Sequence, residues 1–443
     1  MSTVSLSLGS SLSFSLGTSL NPNSVWEIPT GFSKWEPDFT LFRNADNTYS
    51  HDYDLTQDLP ASGTELYISP SGDDTTGDGS LGSPYKTILK VLLSGGTTVW
   101  MLDGYYNRNW DGGAGSYNFS LDVALRAVNP GKVFMGRSNQ FASWTQEAGP
   151  NDDVYSVSRS NSRIVFDDTY RDTSLLLADG TGIRRPYTLQ TSIVNCQANQ
   201  GSYYISGSTV YVHTWDSREP DTDVQITLIE NNIAQTNEQT LYLEGINFYG
   251  EAPFRYTQTA TNTAKVTANK CSFSLEYNGD GFDINDVAFA YTFECVVHDN
   301  NNDGFSYHID SSHATVTKAL EFGNKGVRSG ETGDESSNIS TTHDGVAIIR
   351  ANCVYSDCFG PVVIDVSGSH SINLNVKASN YLGAEIDADA SGFAIAGDGS
   401  LMWMQDCSTS GTMTYDRAAG SNGVLYDLGG FNGIKGLNFG TIS

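Results

Sequence analysis

Two neighbouring segments carry most of the reactive side chains: Asn278-Gly279-Asp280-Gly281-Phe282-Asp283-Ile284 and Asn302-Asp303-Gly304-Phe305-Ser306-Tyr307-His308-Ile309. Aligned on their Gly-Phe pairs, they place Asp280 beside Asp303 and Asp283 beside Ser306. His308 follows two positions further along the same face. Gly326-Val327-Arg328-Ser329 and Gly383-Ala384-Glu385-Ile386 extend the alignment. If Phe282, Phe305, Val327 and Ala384 point inward, then Asp283, Ser306, Arg328 and Glu385 form one outward row. Carboxylates stacked at a strand spacing do not ionise independently; one pKa rises or a cation binds. A raised carboxyl beside an ionised one suits glycoside hydrolysis. Carboxylates that hold Ca2+ beside an arginine or imidazole base suit polysaccharide β-elimination. The chain offers both sets. Asp283, Asp303, His308 and Arg328 are catalytic candidates; Asp280, Ser306 and Glu385 are candidates for binding the substrate. Asp and Asn before Gly are also ordinary turn residues, and ladders of them close solenoid turns.

Two further clusters join this set. Thr341-Thr342-His343-Asp344-Gly345 follows a polar loop at 330–338. A loop that leaves a regular coil is a natural wall for a binding site. His343 can act there as general base or metal ligand, with Asp344 beside it. Arg184-Arg185 is an unusual basic pair in an acidic chain. It reads either as a local salt bridge to Asp167 or Asp168, or as a clamp for an acidic sugar.

What must position these residues is a repeat. Cys271, Cys295, Leu320, Cys353, Ala378 and Cys407 are spaced by 24, 25, 33, 25 and 29 residues. Each closes a run of alternating apolar and polar residues, such as 264–271 and 289–295. Alternation of period 2 predicts strands, and its recurrence predicts a stacked solenoid with one rung per coil. The expected class is all-β: a right-handed parallel β-helix with an N-terminal capping helix and an inserted β-hairpin subdomain. The six Cys read as buried free thiols, four of them in one ladder. Nothing has the pair spacing of a zinc site, so no resident metal is expected beyond a Ca2+ that the carboxylates could hold.

Composition narrows the partners. The 443 residues include 51 Asp and Glu against 24 Lys and Arg, a net charge of -27. Such a charge argues against nucleic acid and anionic membranes. No apolar stretch is long enough to span a bilayer. The 23 Tyr and 20 Phe suit strands and sugar-binding surfaces. Residues 1–23 alternate Leu or Phe with Ser and Gly and hold no Lys or Arg. They read as a flexible or attachment segment, not as a signal peptide. Residues 24–62 form an arm. The cap and first coils span 63–150, the inserted subdomain 151–225, the main coils 226–410 and a Gly-rich terminal coil or cap 411–443. Tyr203 to His213 predicts a hairpin turning at Gly207-Ser208. Ser83 and Pro84 predict the start of a short amphipathic helix over Tyr85, Ile88, Leu89 and Leu92.

The stretch 64–106, with Ser69-Pro70-Ser71-Gly72-Asp73-Asp74, Ser83-Pro84-Tyr85-Lys86-Thr87-Ile88 and Gly104-Tyr105-Tyr106, resembles the opening of pectate-lyase-like right-handed β-helix proteins. That superfamily hosts lyases, hydrolases, epimerases and inert binders, so the likeness implies fold and not chemistry. Asp303 to His308 and Thr341 to Gly345 resemble paired motifs of β-helix proteins from bacteriophages and bacteria. The residue series of polygalacturonases and mannuronan epimerases are absent. The resemblance implies a tailspike-like protein of the virion tail, or an extracellular one, that binds a bacterial polysaccharide with or without depolymerising it. It implies a homotrimer attached to other tail proteins through the N-terminal segment. The alternatives are a secreted lyase or hydrolase and an inert virion protein.

Overall fold

The computed structural model describes residues 24–443 except 62, 108–115, 230, 251, 259–262, 278, 310–315, 331–336, 384–390, 421, 432–436, 439–440 and 443. Three long parallel sheets form the faces of a β-helix. Sheet 1 has 12 strands and sheets 2 and 3 have 9 each. One coil runs through Phe289–Phe293 in sheet 1, Val296–Asn300 in sheet 2 and Phe305–His308 in sheet 3. The next coil pairs in register on each face: Phe289 with Lys318, Val296 with Lys325, Phe305 with Ser340. The interior is apolar and aromatic. Phe248 stacks on Phe273 with ring centroids 5.4 Å apart, and Phe254 on Phe282 at 5.1 Å.

The corner between sheets 1 and 2 explains the repeat. A residue in the left-handed region precedes each anchor: Lys270, Glu294, Gly323, Asn352, Asn375 and Asp406. Gly, Asn and Asp tolerate that conformation best. The anchors that follow are Cys271, Cys295, Asn324, Cys353, Val376 and Cys407. The four Cys are in register, buried and free. Leu320 and Ala378 are not: Leu320 pairs with Tyr291 within sheet 1, and Ala378 with Tyr355 inside sheet 2. Asn324 hides its place in an apolar ladder because it is polar yet fully buried. Its side chain accepts from the Cys295 N–H at 2.9 Å and donates to Thr292 Oγ1 at 2.6 Å.

The short helix spans Ile88–Leu93, later than Ser83 suggests. Thr87 caps it by accepting from the Lys90 N–H at 3.1 Å. Asp74 holds the segment before it, accepting from the Lys86 and Thr87 N–H groups at 2.8 and 3.1 Å. Ile88 and Val91 face the core beside the first strands. Among the described residues no helix is long and apolar enough to cross a membrane.

Two additions cover the outside. Between Gly136 of sheet 2 and Ile233 of sheet 3 the chain leaves the coil and builds an insertion of one five-stranded and one four-stranded sheet. These pack around Trp144, Val165, Tyr203, Val212 and Ile226. Its hairpin pairs Ser206 with Thr209 across Gly207-Ser208. The arm after residue 23 lies on the outer face of sheet 1. There Trp26, Phe32, Trp35, Tyr49 and Tyr53 pack on Tyr291, Phe293, Ile349 and Trp403.

Candidate functional site: the outer face of sheet 3 and the cleft beside it

Alternation along the sheet 3 strands turns Phe282, Ile284, Phe305 and Tyr307 inward, where they are fully buried. Their neighbours turn outward and pair coil to coil: Arg255 with Asp283, Asp283 with Ser306, Ser306 with Thr341. One step along, Asn285 pairs with His308. The His308 and His343 rings stack with centroids 4.3 Å apart and planes 9° apart. His308 Nε2 shares a hydrogen bond with Ser306 Oγ at 2.7 Å, and His343 Nε2 one with Thr341 Oγ1 at 3.0 Å. Asp283 accepts from Arg255 Nε at 2.5 Å and from Asn285 Nδ2 at 2.6 Å.

Asp280 lies at the head of this strip, buried, 3.9 Å from His308 Nε2. It accepts from Asn302 Nδ2 at 2.7 Å and from the Asp303 N–H at 3.2 Å. Burial, and then the charge of Asp283, push Asp280 up to about 6. Burial, and then the neighbouring His308, pull His343 down to about 4. The strip thus holds a carboxyl that protonates near neutrality beside one paired to arginine.

A second feature adjoins it. Where sheet 2 turns into sheet 3, the insertion overhangs the solenoid and encloses a cleft of about 540 Å3. Tyr277, Glu276, Asn301, Asp299, Arg328 and Phe359 line the solenoid wall. Arg185, Tyr187, Leu189 and Tyr203 line the insertion wall. Arg328 fastens the two walls together. Its Nε and Nη2 donate to Asp299 at 2.5 and 3.1 Å, and its Nη1 to Asp172 of the insertion at 2.7 Å. Asp299 and Arg328 both adopt left-handed backbone, at φ 54° and 57°. Burial opposes the charge on Asp299, yet Arg328 and a 2.6 Å bond from His298 Nδ1 hold its pKa below the usual carboxylate range. Burial likewise opposes the charge on Asp172, and hydrogen bonds from Ser174 and Arg328 bring it to about 2. Asn301 donates to the Tyr277 carbonyl at 2.8 Å, while its Oδ1 is buried with no partner among the described residues. The strip and the cleft meet at Glu276. Burial disfavours the charge on Arg255, but Asp283, Asp280 and Glu276 together hold its pKa above the ordinary value.

Asp280, Asp283, Ser306, His308 and His343 therefore come together on one face. The other candidates fall elsewhere. Arg328 is not in the outward row: Val327-Arg328 belongs to sheet 2, where Arg328 bridges two aspartates. Arg184 is buried and ion-paired to Asp168 at 2.7 Å, its guanidinium 3.9 Å from the Phe134 ring centroid, so no sugar reaches it. Arg185, the next residue, is exposed and lines the cleft. Asp303 is buried within the turn, accepting from the Asn338 N–H at 2.6 Å. Asp344 is an exposed corner residue at φ 57°. Glu385 lies outside the described residues. Among those residues no three His, Cys, Asp or Glu side chains form a metal-holding group.

Sequence reasoning missed Glu276, Tyr277, Asp299 and Asn301. One signal was available: His298-Asp299 sits charged after the apolar run Cys295-Val296-Val297, where an unpaired acid is costly.

No protein-family model matches the sequence, and no curated protein matches it. Among solved structures the chain is similar to a glycoside hydrolase, with a TM-score of 0.54 at 11% identity over 85% of this chain and 96% of that one. It is also similar to XylC in its complex with xylose, with a TM-score of 0.50 at 11% identity over 82% of this chain. That alignment spans 65% of the XylC chain. At such identity the likeness is one of fold. The Gp54 tailspike of Acinetobacter baumannii bacteriophage AP22 also aligns, over 80% of this chain and 65% of that one at 10% identity, but a TM-score of 0.17 carries no argument.

Proposed function

We propose that the protein binds a saccharide in the cleft between the insertion and the solenoid and cleaves a glycosidic bond there. The observation that carries this is the lining: aromatic rings on both walls, over a floor that holds Glu276, Asp299 and Asn301. Sugar rings present apolar faces that stack on such side chains, and hydroxyls that need convergent polar partners. The unpartnered Asn301 Oδ1 is one acceptor for a hydroxyl proton. Glu276 is the candidate proton donor, and Asp299, ion-paired to Arg328 with its side chain out of solvent, sets the electrostatics beneath it. The fold supports the reading by likeness, since one similar structure is a glycoside hydrolase and another holds xylose.

The saccharide is a bacterial surface polysaccharide, and the protein is a tailspike-like or otherwise extracellular one. It is a homotrimer attached to other tail proteins through residues 1–23. The solenoid winds right-handed, with the short helix covering its end. Light scattering on the purified protein tests the trimer.

The central test is an oligosaccharide panel read by calorimetry and product analysis. Tyr277→Ala is expected to weaken binding about tenfold or more with thermal stability little changed. Glu276→Gln is expected to keep binding and lose product release. Undiminished affinity in Tyr277→Ala would remove the cleft from consideration. Products carrying an unsaturated uronate would replace hydrolysis by β-elimination.

A further inference from the structure

Arg184 and Arg185 are adjacent in the strand Gly182–Pro186, so they face opposite ways. Arg184 turns inward and is cancelled by Asp168. Arg185 turns out into the cleft. It makes no ion pair and no hydrogen bond with any described residue; its one contact is aromatic, with the guanidinium 5.7 Å from the Trp215 ring centroid. Trp215 is itself fixed, stacked on Tyr170 at 4.1 Å and edge-on to Tyr187 at 5.5 Å. A cation propped on a ring is positioned without being neutralised.

The other cation of the lining is committed. Arg328 is shared between Asp299 and Asp172. In a chain of net charge -27, Arg185 is therefore the uncancelled positive charge of this cleft, facing Tyr277 and Asn301 across it. We infer that Arg185 selects an anionic saccharide, binding the carboxylate of a uronic acid ring at the insertion lip while the hydroxyls face the floor. A planar guanidinium with free donors matches a carboxylate in a two-point bond. This inference rests on the saccharide reading of the cleft.

The test uses the full-length protein against acidic oligosaccharides, each paired with its carboxyl-reduced neutral counterpart. A sulfated neutral set is run beside them. The acidic member is expected to bind about tenfold more tightly than its reduced partner. Arg185→Gln should erase that ratio, and Arg185→Lys should keep part of it. Equal binding of acid and reduced forms, or a ratio unchanged in Arg185→Gln, overturns the inference and leaves the cleft reading standing. Preference for the sulfated set over the uronates overturns the carboxylate assignment. Binding of no member in any set overturns the cleft reading itself. Because Arg185 is exposed, the melting temperature of both variants should match that of the parent.

Discussion

The outer faces of sheets 1 and 2 are both covered, but by different chemistry. On sheet 1 the arm lays down rings: Trp35 stacks on Tyr291 at 6.0 Å, and Tyr53 on Phe293 at 5.7 Å. Polar contacts there complete an apolar seal; Asp58 accepts from Thr267 at 2.6 Å and pairs with Lys265 at 2.5 Å. On sheet 2 the insertion docks through a smaller apolar patch, around Ile183, Val296 and Val327, and through two arginines. Arg184 reaches Tyr105 Oη at 2.6 Å, and Arg328 reaches back to Asp172. Apolar packing leaves no room between surfaces, whereas charged struts hold surfaces apart at a set width. The first kind of cover stabilises the coil, and the second leaves a cleft.

This contrast breaks most visibly at Trp35. Trp35→Ala should cost about 3–5 kcal/mol in urea unfolding, because a buried indole leaves a cavity on the coil. Saccharide affinity per folded molecule should be unchanged. A loss below about 1 kcal/mol would mean that the arm does not seal sheet 1.

Arg328→Gln attacks the other cover. It leaves the buried Asp299 without its main counter-charge and should cost about 3–4 kcal/mol. Hydrogen exchange should quicken in the strand 162–176 of the insertion but not in the arm, and saccharide affinity should fall. Exchange rising equally in both would show that the strut is not specific to the insertion.

Sheet 3 gives the smallest effect and the most particular one. Asp280 is raised from 3.8 to about 6, so between those values the native state keeps a proton that the unfolded chain has lost. Stability from this group falls as pH rises through that window. His343 is lowered from 6.5 to about 4, so across nearly the same window its contribution rises with pH. His370, also lowered to about 4, adds to the rise. Two histidines oppose one carboxyl of similar shift, so the stability from these three groups rises with pH in the parent protein. Asp280→Asn should steepen that rise by about 2–3 kcal/mol between pH 4 and 6, and His343→Gln should flatten it. Denaturation curves at several pH values decide this; parallel profiles in all three proteins would refute the assignment.

What could be read in advance follows the range of each signal. Asp283 and Ser306 pair because both follow a buried Phe in equivalent strands, and alternation is local. The four in-register Cys were legible for the same reason. Arg328 was misplaced because Gly-Val-Arg and Gly-Phe-Asp carry one pattern on two faces; alternation tells inward from outward but not sheet 2 from sheet 3. Arg184 and Arg185 looked equivalent until the strand direction separated them. Leu320 and Ala378 replaced Asn324 and Val376 because an apolar rule passes over an asparagine whose hydrogen bonds are satisfied inside.

From residue order alone came the coil and its inward and outward sides, since both depend on neighbours a few residues apart, while composition set the net acidity. Folding added which face is sealed and where the cleft lies. Those depend on contacts such as Arg328 with Asp172, 156 residues apart. No local pattern encodes a meeting at that range; it follows from where the insertion leaves the coil and which charges its overhang finds.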